Sequence, residues 1–334
     1  MMPDFSKIVK RTYRLIKKNK WLFVYGLVLA TVASGGNYSS FRLPSDSLKD
    51  LDNVPQNLPQ ETSKVLGVFT SMFTEWVSTV TWQRWVFLAF VVLAVMLTSI
   101  VIRMVMTGWA KGALIGGFDR AYSDQPVDLK NTTKIGFSSA KNLIIFSVLA
   151  GLITFGIIVG LILLWLVILF VVGNFETLKL IWTIVGGIAG IFTLIFSIII
   201  LTMVNIYAER LIVLRGFKPM DAWKKALSIS RSNFLMTFLM GLINSIMSTA
   251  IGCVSIIVML IILGIPAMIV VIPSMMAKQL PSTPAIVVLV ILFIIFAYLN
   301  FLVQAAIVLF KYGNWGQIFE IAYAKVEGEK VDGK

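Results

Sequence analysis

The chain has 334 residues, of which 58% are hydrophobic and only 13% are charged, whereas roughly 25% are charged in a typical soluble domain. This composition excludes a soluble globular protein, because a monomer of this size has too little interior to bury so many apolar side chains. The sequence has no histidine and one cysteine, Cys253. It therefore excludes His-dependent catalysis, a disulfide framework and a cysteine-rich zinc site.

Long charge-free runs predict an all-α polytopic membrane protein with six spans. A helix crosses the hydrocarbon core with about 20 apolar residues. The first span is the weakest, because strong hydropathy is confined to residues 21–33, and a cleaved signal peptide remains an alternative there. The six runs are 21–41, 85–102, 142–175, 180–208, 232–277 and 279–310.

The fifth run is long enough for two spans, but its glycine and prolines divide it unevenly. Only 11 residues separate Pro266 from Lys278, which is about 16 Å of helix. We therefore expect one span that ends near Gly264, followed by an irregular or re-entrant piece through Pro273, Pro281 and Pro284.

The positive charges predict the orientation. Alternate segments between the spans hold 23 and 6 of the 29 Lys and Arg residues. The positive-inside rule therefore places both termini and the loops 103–142 and 208–233 in the cytoplasm. The full net charge of +13 faces that side, which favours contact with the anionic inner leaflet rather than with nucleic acid.

Basic segments before the spans have the periodicity of amphipathic helices on the membrane surface. From Asp4 onward, apolar or neutral residues recur at i, i+3, i+4 and i+7, and basic residues occupy the other face. In the third such segment the apolar stripe is Met220, Trp223 and Leu227, whereas the second, 128–141, is weakened by Gly136. The predicted lipid-headgroup residues are Lys7, Lys10, Arg11, Arg14, Lys17, Lys18, Lys224, Lys225 and Arg231.

A similar sequence pattern at three membrane boundaries suggests a single membrane domain, 1–334, built as three helical hairpins. A basic stretch ends in an asparagine and passes into an apolar run at Asn19, Asn142 and Asn233. The predicted repeats are 1–120, 121–217 and 218–334, although interfaces favour Asn and Lys in any case. An extracytoplasmic loop, 34–84, with an amphipathic helix near 65–80, and a flexible tail, 326–334, complete the organisation.

Small and amide residues stand out within the spans. Glycines recur every four residues at 108, 112 and 116, at 156 and 160, and at 186 and 190, which allows helix backbones to approach closely. Amides are costly to expose to lipid, so we expect Asn205, Asn244, Asn300 and Gln304 to face the bundle interior and bond across helices. The alternative is that these four amides line a polar transport path.

The sequence contains no recognisable catalytic constellation. Phosphate-binding loops, nucleophile elbows and metal-ligand spacings are absent from it. We therefore expect a non-enzymatic protein with no cofactor and no metal. An intramembrane enzyme is the weakest alternative.

The six spans and the basic segment before each hairpin resemble a known family. The resemblance is greatest from Ala208-Glu209-Arg210 through Gly216-Phe217 and Ala222-Trp223 to Asn233. It is to the six-span membrane domain that is fused to some glycerophosphoryl diester phosphodiesterases and occurs alone in many bacterial and archaeal proteins. The resemblance implies a helical prokaryotic plasma-membrane domain without the hydrolase barrel, so it carries over no catalytic residue.

Two functions follow as expectations. The first is membrane organisation or lipid-associated scaffolding, with membrane lipids of the anionic inner leaflet as partners and no nucleic acid. The second is a permease for a lipid or other amphipathic small molecule. A polar cavity beside the intramembrane amides favours the permease, and a bundle closed by small-residue packing favours the scaffold.

Overall fold

A computed structural model describes residues 3–34, 71, 82–172, 182–276 and 283–328. These residues are helical apart from short links and form no β-strand, which confirms the all-α class for this part of the chain. Two π-helical turns, Trp182–Gly186 and Leu260–Gly264, continue directly into helices. The helices are α1 (Phe5–Lys18), α2 (Leu22–Ser34), α3 (Trp82–Tyr122), α4 (Leu129–Val172), α5 (Gly187–Arg215), α6 (Pro219–Ser232), α7 (Phe234–Met259), α8 (Ile265–Met276) and α9 (Thr283–Glu327).

Five helical stretches in the described ranges are long and apolar enough to cross a membrane. They are Trp85–Tyr122, Leu129–Val171, Trp182–Arg215, Phe234–Pro273 and Pro284–Glu327. A shorter apolar helix, Leu22–Val32, coincides with the weakest predicted span. The chain is thus a multi-pass membrane protein.

The chain forms two compact units, one of residues 1–31 and 105–334 and the other of residues 32–104. In the second unit the described part of α3 has exposed apolar side chains, including Phe87 and Phe90.

The core of the first unit lies at the charged ends of its long helices. One cluster includes Tyr207 and Leu211 of α5, Ile229 of α6 and Phe319 of α9, all of them fully buried. A second cluster joins α2, α3 and α9 through residues such as Tyr25, Leu114 and Leu309.

The uncharged lengths of the same helices are exposed. Phe155 and Phe170 of α4, Phe192 of α5, Ile257 of α7 and Phe293 of α9 are all exposed by more than half of their surface. An apolar surface of this extent requires apolar surroundings, which lipid chains supply.

Glycines bring α3 and α4 into close contact. A Cβ atom at Gly112 would lie 3.1 Å from the Cα of Gly136, and a Cβ at Gly136 would lie 2.6 Å from the carbonyl oxygen of Trp109. The close packing predicted from the glycines at 108, 112 and 116 is therefore confirmed. It is not observed at Gly156, Gly160 or Gly190, where a Cβ would meet nothing within 4 Å. At Gly186 the three atoms nearest to a Cβ belong to Trp182 of the same helical stretch.

The prediction that an irregular piece follows the fifth span is wrong as far as Pro273. The π-helical turn Leu260–Gly264 runs into α8, which continues through Pro266 and Pro273 to Met276. Prolines are tolerated in membrane helices when a local π adjustment re-satisfies the backbone groups that they free. Pro281 lies outside the described residues.

Two of the three boundary asparagines interrupt a helix in the same way. Both α1 and α6 have 14 residues, and the Nδ2 atoms of Asn19 and Asn233 donate to the carbonyl oxygens of Leu15 and Ile229. At Asn142 the helix is continuous, so the basic segment 128–141 becomes the first turns of α4 instead of a separate surface helix.

Two predicted segments fall largely beyond the described residues. The loop 34–84, with its helix near 65–80, is one of them. Of the predicted tail 326–334, residues 326 and 327 belong to α9, and positions 329–334 lie outside the described residues.

Candidate functional site: basic helices, a buried polar cluster and a lateral groove

Helix α1 is docked on the protein by the stripe predicted to face lipid. Ile8 and Thr12 are buried, and Gln317 of α9 donates 3.0 Å hydrogen bonds to the Ile8 carbonyl and to the Thr12 hydroxyl. Leu15 is buried on the same stripe. The stripe therefore covers protein, because α9 offers both an apolar surface and a matching amide.

The opposite face of α1 presents its basic residues. All six predicted headgroup residues of this helix are exposed: Lys7, Lys10, Arg11, Arg14, Lys17 and Lys18. Lys7 and Lys18 lie 3.9 Å and 4.0 Å from Asp4 and Asp124, and Arg11 donates to the Tyr122 carbonyl. Lys10, Arg14 and Lys17 have no acidic partner within 4 Å in the described ranges.

An apolar groove opens beside two of these free charges. It has a volume of about 510 Å³ and lies between α1, α7 and α9. Its lining consists of Val9, Lys10, Tyr13, Arg14, Met247 and Phe310. The groove thus combines an apolar wall with two cationic side chains, and we name it the α1 groove.

Helix α6 buries a face different from the predicted stripe. Ala222, Ala226 and Ile229 are fully buried, whereas Met220 and Leu227 are about half exposed. Small residues allow close packing, so the alanine face contacts the protein. The third stripe residue, Trp223, is partly buried against the core, with its ring 6.2 Å from that of Phe146.

The three predicted headgroup residues of α6 differ in their surroundings. Lys224 and Arg231 are exposed. Lys225 instead forms a 2.5 Å ion pair with Glu327 at the end of α9, which neutralises its charge. Only Lys224 and Arg231 therefore offer an exposed cation on this helix.

Arg210 of α5 lies in the core. It is 2% exposed and donates to the carbonyl oxygens of Ile206, at 2.9 Å, and of Tyr312, at 3.0 Å. A neighbouring cavity of about 10 Å³, room for one water molecule, is lined by Asp119 and Glu320 among others. The Arg210 side chain thus links α5 to α9 by a hydrogen bond to a backbone carbonyl, and the sequence alone does not reveal this contact.

A second charged contact joins α3 to α5. The Lys111 ammonium lies 2.5 Å from a carboxylate oxygen of Glu209, and the two side chains are 24% and 12% exposed. The pair is internally neutral. Opposite charges on two helices gave the only sequence signal for it.

The four intramembrane amides occupy different environments. Asn244 of α7 is buried and accepts a 2.8 Å hydrogen bond from Asn314 of α9, a partner that the sequence reading missed. Asn300 and Gln304 are exposed, so the bundle-facing position predicted for them is not observed. Asn205 is partly buried, and its buried Oδ1 atom has no hydrogen-bond partner among the described residues.

Asn205 and the Lys111–Glu209 pair line one groove, which we name the α4–α5 groove. Its volume is about 450 Å³. The wall formed by α4 includes Phe146, Ala150 and Phe155. Polar groups therefore meet an apolar wall inside the same depression.

The described residues contain no group of three or more His, Cys, Asp or Glu side chains that could hold a metal ion. Comparison of the chain with protein-family models, curated proteins and solved structures found no match. The candidate sites are therefore defined by their own geometry, which consists of cationic or amide groups beside apolar walls.

Proposed function

We propose that the chain crosses the membrane six times with both termini in the cytoplasm. Support comes from the contact between α1 and Gln317, which brings the N-terminal helix to the C-terminal part of α9. Helices at the two ends of a chain lie on one side only after an even number of crossings. The described residues contain five long apolar helices, an odd number, so we take the shorter apolar helix α2 as the sixth crossing.

Single-cysteine labelling in intact cells tests this topology in a Cys253→Ser background. Cysteines at Ser6, Ser138, Ser228 and Gly328, all of them exposed positions, should react only with reagents that enter the cytoplasm. A cysteine at Ser47 should react from outside. If the cysteines introduced at positions 6 and 328 are labelled from opposite sides of the membrane, the six-span arrangement is contradicted.

We further propose a non-enzymatic role in membrane organisation or lipid-associated scaffolding at the anionic inner leaflet of a prokaryotic plasma membrane. The α1 groove carries this proposal, because Lys10 and Arg14 lie beside an apolar wall that suits an acyl chain. The resemblance to the phosphodiesterase-fused membrane domain is part of the same proposal and implies a helical membrane domain without a catalytic residue.

The magnitude of the electrostatic contribution follows from the free charges. Each Lys or Arg near an anionic surface contributes about 1 kcal/mol, so Lys10, Arg14 and Lys17 together account for roughly a hundredfold preference at most. Salt weakens this preference, because the Debye length is about 8 Å at physiological ionic strength.

Lipid exchange with the purified full chain tests the preference. Protein in mixed micelles of phosphatidylglycerol and phosphatidylcholine should retain the anionic lipid, as measured by mass spectrometry of the co-purified lipid. Replacement of Lys10, Arg14 and Lys17 by Gln should abolish most of the enrichment. The control, Lys225→Gln with Glu327→Gln, removes a neutral pair and should leave it unchanged. Equal enrichment in both variants contradicts the proposal.

The alternative, a permease for a lipid or other amphipathic small molecule, has one observation in its favour. Asn205 lines the α4–α5 groove, as a polar path requires. The other amides do not extend that path, since Asn244 bonds to Asn314, whereas Asn300 and Gln304 are exposed. Uptake of a labelled lipid into proteoliposomes, lost in Asn205→Leu but retained in Asn300→Leu, would favour the permease.

A further inference from the structure

The α4–α5 groove has a polar end and an apolar wall. Lys111, Asn205 and Glu209 form the polar end. Along α4, the lining continues from Ser147 to Ile158, which is about 16 Å of helix, or half of the ~30 Å hydrocarbon core. This arrangement has the shape of a site for an amphipathic molecule with one small polar head.

The charges of the groove cancel. Lys111 and Glu209 face each other at 2.5 Å, and neither is more than a quarter exposed. The neighbouring Arg210 donates to backbone carbonyls of Ile206 and Tyr312. An anionic or cationic head would have to break the ion pair, which is costly for partly buried charges. The groove therefore favours an uncharged head.

Asn205 supplies the group that still needs a partner. Its Oδ1 atom is buried and makes no hydrogen bond within the described part of the chain. A buried polar atom left unsatisfied is destabilising, and a ligand that donates to it removes that cost. A hydroxyl suits Asn205 in either amide orientation, since it both donates and accepts.

The wall leaves room for a chain. A Cβ atom at Gly151 would meet nothing within 4 Å, and Phe155 is 67% exposed. Ser147 and Thr154 donate their hydroxyl protons to carbonyls of their own helix, at 2.8 Å each, so they do not compete for the head. The open apolar wall can accept an acyl chain from the surrounding lipid.

We propose that the α4–α5 groove binds an uncharged lipid with a free hydroxyl, of which a diacylglycerol is the representative. The hydroxyl bonds to Asn205 beside the Lys111–Glu209 pair, and an acyl chain lies along α4 over Gly151. This site is independent of the basic face of α1 and differs from it in the charge that it selects.

Photolabelling of the purified full chain tests the site. The probe is a diacylglycerol with a diazirine in one acyl chain, and peptide mapping locates the label. We expect labelling between residues 146 and 158, with competition by unlabelled diacylglycerol. The methyl ether of the diacylglycerol, which lacks the hydroxyl, should compete less effectively than the diacylglycerol itself. The same is expected of phosphatidylglycerol, which carries a charge.

Matched variants separate binding from folding. Asn205→Leu should lower labelling about tenfold, whereas the same substitution at the exposed Asn300 should leave it unchanged. Gly151→Phe fills the groove without altering a polar group and should also abolish labelling. Replacement of Lys10, Arg14 and Lys17 should not affect it, so this site and the anionic-lipid proposal can fail separately. Undiminished labelling of Asn205→Leu, or equal competition by the methyl ether, overturns the inference.

Discussion

Replacement of Gly136 by Ala tests the contact between α3 and α4 directly. The added Cβ would lie 2.6 Å from the carbonyl oxygen of Trp109 and 2.9 Å from the Cβ of Ala113. Backbone atoms cannot rotate away, so the helices must separate or the main chain must shift. The tight α3–α4 crossing thus predicts a loss of stability from a single methyl group.

Two effects of opposite sign set the magnitude. Overpacking of a well-packed site costs typically 1–3 kcal/mol. Against it, Ala is better than Gly in a helix interior by about 1 kcal/mol. Because the clash involves backbone, we take the upper part of the first range and expect a net loss of about 1–2 kcal/mol for Gly136→Ala.

Gly160 offers a matched control on the same helix. A Cβ there would meet nothing within 4 Å, so Gly160→Ala should be neutral or stabilising by up to about 1 kcal/mol. The free energy of unfolding can be measured for both variants by SDS titration in mixed micelles, followed by circular dichroism. Equal changes in the two variants refute the close approach of α3 and α4.

The remaining predictions concern the buried polar groups. Asn244→Leu leaves the Asn314 amide without its acceptor and should lower the free energy of unfolding by about 0.6–2 kcal/mol, whereas Asn300→Leu should change it by less than about 0.5 kcal/mol. If the two are equal in the same SDS titration, the hydrogen bond contributes nothing. Glu209→Gln leaves the Lys111 charge unpaired and should cost about 3 kcal/mol, and the double replacement Lys111→Met with Glu209→Leu should recover at least half. A double variant as unstable as Glu209→Gln contradicts a coupled pair.

Which face of a surface helix is buried against the protein could be read only from the tertiary structure. Periodicity predicted helices at α1 and α6, and both are present. In α1 the apolar stripe packs on α9, and in α6 the alanine face is buried in place of Met220 and Leu227. Hydropathy ranks residues by the free-energy cost of exposing their side chains to water. Which face contacts protein depends instead on the shape of the neighbouring helix.

Glycine spacing illustrates the same limit. The runs at 108–116 and at 156–160 have identical periods, yet only the first meets another backbone. Glycine spacing indicates that two helix backbones can approach closely without a steric clash. Whether they do so depends on the position of the second helix. The partner of Asn244 and the buried position of Arg210 were hidden for the same reason, since Asn314 and Tyr312 are about 70 and 100 residues away in the chain.

The amino-acid sequence by itself determined the helical class of this protein and the long apolar segments that require a membrane. These follow from composition and period, which are sums over many residues and tolerate local errors. The tertiary structure alone decided which cations on α1 lack an acidic partner among the described residues, that the Asn205 Oδ1 atom has no hydrogen bond there, and where grooves open. Those features depend on a few contacts between residues distant in the chain, where one helix rotation exchanges a buried group for an exposed one.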